Sequence, residues 1–346
     1  MKFTKEIIDT IKTFIIENVS KHPHDILSTT IKHFQISKPT AGKYLNELIK
    51  EEIIKKENNG RYPHYQLVTI VHENNYAITA GLEEDVIWRK DFLPYLTGVP
   101  QNVKEACQYG FTEMVNNAIE HSGSDKVTIT LSINACTVCI SIRDFGIGIF
   151  NKIMQDMGLE NPRHSILELA KGKFTSDPDR HSGEGIFFTS RIFDSFFIFS
   201  LNLAFSGSNR HDMLFEDVVK DINGTLVNME IRKNSKISIA DIFNEYTDPD
   251  KQPGFHKTII PVKLMQYEGE SLLSRSQAKR LITRFDRFIE VILDFSGVKI
   301  IGQAFADEVF RVFGNEHPQV LLIPANYNDD IRKMIEHVTG KKIDKT

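Results

Sequence analysis

Over the first seventy or so residues apolar positions recur at helical spacing between short polar breaks, and the pattern then changes at "SKPTAGKYLNELIKEEIIKKENNGRYPHYQLV". Ser37 is placed to cap a helix with Pro39 in its first turn, and Leu45, Leu48 and Ile49 give that helix its buried face. Asn59-Gly60 is a hairpin signal between two short extended runs, so the predicted order is helix, strand, turn, strand. Further along, "KVTITLSI" and "TVCISIRD" alternate apolar and polar residues, which predicts a hairpin half-buried against helices. Strands follow at "SFFIFSLNLAF" and "GTLVNMEIR", with Ser206 to Asp212 as a turn broken by Gly207 and Asn209. Beyond a polar linker near "NEYTDPDKQPGF", strand and helix alternate to the end of the chain, with "VILDFSG" and "VLLIPAN" as buried strands. The expected fold class is multidomain α/β, with segments at residues 1–72, 80–233 and 256–346 and a linker at 234–255.

Residues 111–122, "FTEMVNNAIEHS", carry a second kind of information. On a helix, Glu113 and Asn117 stand one above the other, beside an apolar stripe of Phe111, Met114, Val115, Ala118 and Ile119. A carboxylate and a carboxamide are thereby held together next to a core seam.

Composition narrows the classes. At 346 residues the chain is long enough for two or three domains, and its 41% hydrophobic and 25% charged residues are those of a globular protein. A net charge of −4 argues against coating nucleic acid or membrane with the whole surface. No run of about 18 apolar residues and no secretion signal is present, so a cytoplasmic location is expected. The three cysteines cannot build a disulfide framework, and Cys136 and Cys139 in "CTVC" fall at a predicted hairpin turn with no second pair to complete a zinc site.

Three further stretches belong with Glu113 and Asn117: "DFGIGI" from Asp144, "HSGEGIFFTS" from His181, and "NGTLV" from Asn223. In this order, with a strand before the first and a helix after the second, they resemble the nucleotide-binding boxes of the GHKL ATPases and kinases, nearest the anti-sigma-factor serine kinases. The resemblance implies an ATP site with Mg²⁺. Asn117 would offer an amide oxygen to the metal, which as a hard cation prefers oxygen ligands. Glu113 would orient and deprotonate an attacking water or hydroxyl. Asp144 would accept a hydrogen bond from the adenine amino group, Gly146 and Gly148 would allow the tight turn beside the base, and Thr225 would lie near the adenine. Gly183 and Gly185 would bring backbone N–H groups at a helix N-terminus against the phosphates. "LAKGKFTSDPDRHSGEG" then reads as a lid, with Lys171, Lys173 and Arg180 as γ-phosphate partners. His121 reads as a residue of the helix C-terminus rather than a phosphoacceptor.

The flanking segments carry resemblances of their own. The "SKPTAGKYLNEL" helix and the hairpin after it resemble the recognition helix and wing of winged helix-turn-helix regulators, which implies that Lys38, Thr40, Lys43 and Tyr44 are exposed toward bases or phosphates, with Arg61 at the wing tip. A protein-docking use of the same surface stays open. "RFIEVILDFSGVKIIGQAFADEVFRVFG" resembles STAS domains, but "IIGQAF" has no hydroxyl where phosphorylatable members carry an acceptor serine. It is closest to a STAS-like domain of unknown function found fused behind GHKL domains, and implies a docking or dimerisation module. Ser296, ahead of a "VKII" run read as buried, is not taken as an acceptor. The combined expectation is an ATP-controlled, DNA-binding transcriptional regulator whose GHKL domain binds and hydrolyses Mg-ATP. The alternative is an anti-sigma-type protein serine kinase acting on a separate partner.

Overall fold

The computed structural model describes residues 3–57, 63–173, 183–207, 212–217, 220, 222–247, 254–266 and 270–343. The chain falls into two compact units: Met1–Asn74 with Thr130–Ile140 and Glu230–Ser235, and Asn75–Ile129 with Ser141–Met229 and Lys236–Thr346.

In the first unit, α1 (Lys5–Asn18), α2 (Ile26–Phe34) and α3 (Lys38–Lys50) lead into β1 (Ile54–Glu57) and β2 (His64–Leu67), which pair antiparallel with Ile54 opposite Leu67. Ser37 caps α3: its Oγ accepts from the Thr40 N–H at 3.4 Å. The core here gathers Ile11, Ile15, Leu45, Leu48 and Tyr65. Tyr44 belongs to that core at 4% exposure and does not face outward as expected. Ala41, Tyr44, Leu45 and Leu48 form one stripe at helical spacing, and the aromatic ring is large enough to be worth burying. Lys38 and Lys43 are exposed, while the Thr40 hydroxyl is half-buried and bonded to that of Ser37 at 2.8 Å. Arg61 and Asn59-Gly60 lie outside the described residues. Also within this unit, Cys136 Sγ donates to the Ile16 carbonyl at 3.5 Å, and Asn234 Nδ2 to Glu17 Oε1 at 3.1 Å.

A seven-stranded sheet among the described residues has the order β3-β4-β5-β9-β6-β7-β8. Its strands are β3 (Ile70–Ala77), β4 (Lys126–Ile133), β5 (Thr137–Asp144), β6 (Ser195–Leu201), β7 (Leu203–Gly207), β8 (Met213–Glu216) and β9 (Ile222–Arg232). β4 buries Val127, Ile129, Leu131 and Ile133 on one face, as its alternation predicts. β3 is a strand that the apolar pattern does not announce. "IVHENNYA" has no apolar face, but as an edge strand it is held by pairing and by side-chain bonds from Thr128 to Asn75 (2.6 Å) and Thr130 to Glu73 (3.1 Å). The run "SFFIFSLNLAF" is also two strands rather than one. The backbone turns at Leu201, φ +56°, and β6 and β7 pair antiparallel, Phe196 opposite Gly207 and Ser200 opposite Leu203. Ser206 and Gly207 therefore lie in β7 and not in a turn, while Asp212 is buried against Arg191 in a two-pronged ion pair at 2.5 and 2.6 Å.

The helices that accompany this sheet are α4 (Glu84–Ile87), α5 (Gln101–His121), α6 (Ile149–Met157), α7 (His164–Lys171), α8 (Gly185–Ile192) and α9 (Ile239–Tyr246). α5 carries Phe111, which packs on Trp88 and Phe92 at ring separations of 5.1 and 5.2 Å. Gly110, which weakens a helix in isolation, is required by packing: a Cβ there would stand 2.5 Å from the Phe193 ring and 3.0 Å from Met229 Sδ.

The C-terminal part has the parallel sheet β10 (Lys257–Pro261), β11 (Glu290–Asp294), β12 (Leu321–Ala325), with α10 (Arg275–Ile282), α11 (Gln303–Ala306), α12 (Gly314–Glu316) and α13 (Asp329–Thr339). The alternation of strand and helix follows the sequence pattern. "VKII" does not form a buried run: Val298 and Ile301 are inside, Ile300 is 48% exposed, and Ser296 is exposed. No helix among the described residues is long and apolar enough to cross a membrane.

Replacing Gly110 with alanine should lower stability by about 1–3 kcal/mol, the range for overpacking a closed core. Urea denaturation of wild type and variant measures it, as a fall in midpoint with unchanged slope.

Candidate functional site

α5 is amphipathic in an unusual way: Phe111 and Val115 are fully buried, while Glu113, Asn117 and His121, spaced one turn apart, look into a cavity of about 300 Å³. The same cavity is lined by Asp144 at the end of β5, Gly148 and Ile149 at the start of α6, Gly183 and Gly185 at the start of α8, and Thr225 on β9. Residues widely separated in the chain thus converge on one space.

Asp144 ties the walls together. Its Oδ1 accepts the Gly146 N–H at 3.0 Å and the Thr225 N–H at 3.2 Å, and Thr225 Oγ1 accepts the Ile149 N–H at 3.0 Å. With 5% exposure, burial pushes the Asp144 carboxyl above the usual carboxylate range, although the bonds from Gly146 and Thr225 pull the other way. Gly148 has φ +83°, a left-handed conformation that a residue with a side chain rarely adopts, and it turns the chain into α6. Gly146 does not line the cavity. It lies behind the wall, where a Cβ would fall 1.9 Å from the Ser122 carbonyl oxygen. Gly185 is constrained from the front: a Cβ there would sit 1.9 Å from Glu113 Oε2, so the N-terminus of α8 and the carboxylate of α5 are in direct apposition.

Lys171 and Lys173 are not in the cavity wall. Lys171 is fully buried, its Nζ donating to Glu168 Oε1 at 2.6 Å and to the carbonyls of Arg280 (3.1 Å) and Thr283 (3.0 Å). Burial pushes its pKa down, against the pull of the Glu168 carboxylate. Lys173 Nζ donates to the Arg287 carbonyl at 2.8 Å and lies over the rings of Phe288 and Phe255 at 5.0 and 5.6 Å. Both lysines face the C-terminal segment, because α7 packs against β10 and carries its last turn there. Arg180 and the rest of residues 174–182 lie outside the described residues. His121, at the end of α5, does line the cavity.

One cation of the cavity went unremarked in the sequence. Lys152 on α6 lines it together with Asp156, the two paired at 2.6 Å across one turn. The signal available was an opposite-charge i,i+4 pair on the helix that follows the first glycine box.

Residues 83–201 match the family model of the histidine kinase-like ATPase domain. The chain carries a histidine kinase-like ATPase domain. The matched span holds Glu113, Asn117, Asp144 and the glycines at 183 and 185, and a domain of this family implies nucleotide binding. Thr225 falls beyond the matched span and reaches the ATPase domain's cavity through β9. Residues 277–332 match a STAS-like domain of unknown function (DUF4325). No match was found among curated proteins.

The raised Asp144 carboxyl sets a pH dependence. A carboxyl raised on folding contributes stability that is present below its unfolded value, about pH 4, and lost as pH rises through the folded value. Asp144→Asn retains an acceptor oxygen and cannot ionise, so it should melt at or above wild type at pH 7, with the difference closing near pH 4. Asp144→Ala, which removes the acceptor for two buried N–H groups, should instead lose about 1–3 kcal/mol. Thermal melts across pH on the two variants check both signs.

Proposed function

We propose that the chain is an ATP-controlled regulator in which nucleotide binding by the ATPase domain governs a DNA-binding N-terminal segment. The observation that carries the nucleotide half is the convergence of Glu113, Asn117, Asp144, Thr225 and the N-terminus of α8 on one cavity. The Asp144 carboxylate, already fixed by two N–H donors, accepts the adenine amino group. The backbone N–H groups at the start of α8 face the phosphates, where the helix dipole favours anions. A Mg²⁺ ion would be held by the neutral amide oxygen of Asn117 on α5, and bound with the nucleotide it would neutralise phosphate charge. Glu113 orients the attacking water and takes its proton.

The DNA half is supported by the three helices and antiparallel hairpin of the first unit, an arrangement used by winged helix-turn-helix proteins, and by Lys38 and Lys43 exposed on α3. Lys43 is partly offset by Glu47 at 3.9 Å, so the positive field of α3 is modest and contact with phosphate is short-ranged. A second reading is an anti-sigma-type protein serine kinase, because a carboxylate placed as Glu113 is serves a hydroxyl as well as water. The STAS-like domain is then the docking surface for a protein partner or a second copy of the chain.

Incubation of the purified protein with labelled ATP and Mg²⁺ separates these outcomes: label bound and released as phosphate supports the first reading, and label moved to a second protein supports the kinase. Asn117→Ala should weaken Mg-dependent ATP binding at least about tenfold, equivalent to 1.4 kcal/mol. Glu113→Gln should bind ATP and lose turnover by about 10²–10⁴. Equal affinity of Asn117→Ala and wild type for a fluorescent ATP analogue would remove Asn117 from the site.

For DNA, Lys43→Ala should lower affinity for a fragment from the protein's own upstream region and reduce the logarithmic salt slope by about one unit. Absence of binding by wild type at low salt would leave α3 as a protein-docking surface.

A further inference from the structure

The described chain before residue 174 ends in three residues whose backbone carbonyls all accept hydrogen bonds from the C-terminal segment. The Lys171 carbonyl accepts Thr258 Oγ1 at 2.9 Å, the Gly172 carbonyl accepts Arg284 Nη2, and the Lys173 carbonyl accepts Arg287 Nη1 at 3.3 Å. Side chains return the contact: Lys173 Nζ donates to the Arg287 carbonyl, and Arg284 Nη1 donates to Glu168 Oε2 at 2.7 Å on α7. Arg284 is therefore a fork with one prong on a helix side chain and one on the backbone just past that helix, a geometry that lysine cannot reproduce. Its own backbone is left-handed, φ +67°, a conformation that persists for a non-glycine residue only where the surroundings hold it.

Gly172 is also a wall of the nucleotide cavity. A Cβ on it would come within 2.6 Å of the Phe255 ring and 3.1 Å of the Phe187 ring. Phe187 lines the cavity from α8 and packs on Phe255 at a ring separation of 4.5 Å. Two cavity residues, Gly172 and Phe187, are thus backed by groups that precede or belong to the STAS-like domain.

We propose that Arg284 is a positioning residue for the nucleotide site, fixing the Gly172 wall from the C-terminal domain. Arg284 does not itself line the cavity and acts through the Gly172 carbonyl and Glu168. The proposal rests on the nucleotide reading of the cavity. Its thermodynamic corollary is reciprocity: if Arg284 improves nucleotide affinity by holding the wall, nucleotide must strengthen the hold of Arg284 on that wall by the same factor.

The test uses the full chain and a fluorescent ATP analogue with Mg²⁺. Arg284→Gln should bind it about tenfold more weakly, with Arg284→Lys between the two, while far-UV circular dichroism stays that of wild type. Ile335→Ala on α13, a buried position that makes none of these contacts, controls for general loss of C-terminal stability and should leave affinity near wild type. In wild type, the analogue should slow hydrogen exchange in residues 257–261 and 290–294, a measurement that needs no variant to fold. Wild-type affinity in folded Arg284→Gln overturns the proposal, as does an equal loss in Ile335→Ala or exchange unaltered by nucleotide. Failure of wild type to bind the analogue at all is a different result, which overturns the nucleotide reading and this proposal with it.

Discussion

The buried carboxylate of Asp144 is the constraint around which the ATPase domain is arranged. A carboxylate removed from water needs donors, and here they come from the Gly146 and Thr225 N–H groups, one on the glycine turn and one on β9. Satisfying it closes β5, the turn, α6 and β9 onto one point. Burial pushes the carboxyl upward while the bonds from Gly146 and Thr225 pull the other way, so the donors offset part of the desolvation.

Close approach is the second organising fact. Gly110 lets α5 settle on Phe193 and Met229, and Gly185 lets the start of α8 meet Glu113. Seating α5 at that depth turns Glu113 and Asn117 into the cavity while Phe111 and Val115 fill the core. The result is a helix N-terminus, a carboxylate and an amide facing a single space.

The C-terminal segment is more than an appendage to this arrangement. Glu168 and Lys171 of α7 form a buried triad with Arg284 of the C-terminal segment, in which two cations share one carboxylate and the remaining Lys171 protons go to backbone carbonyls. Burying such a group demands complete pairing, and removal of the shared Glu168 carboxylate would leave two buried cations uncompensated. The network therefore fixes α7, and with it the chain leading to Gly172, in one position.

The sequence by itself determined what depends on near neighbours. Alternation gave β4 and β5, Ser37 and Pro39 marked the start of α3, and helical spacing put Glu113 beside Asn117, because each is a matter of residues within a turn or a pleat. The glycine boxes were legible for the same reason, since left-handed and crowded backbone positions leave a local mark. Tertiary structure decided the rest. β3 has no apolar face of its own and exists through pairing at a sheet edge. Tyr44 turns inward because the core next to it has room for a ring. Lys171 and Lys173, which as exposed lysines would suit a phosphate, are claimed instead by Glu168 and by carbonyls more than a hundred residues away. A charge states what a side chain can bind, but only the packing of distant segments settles which partner it meets.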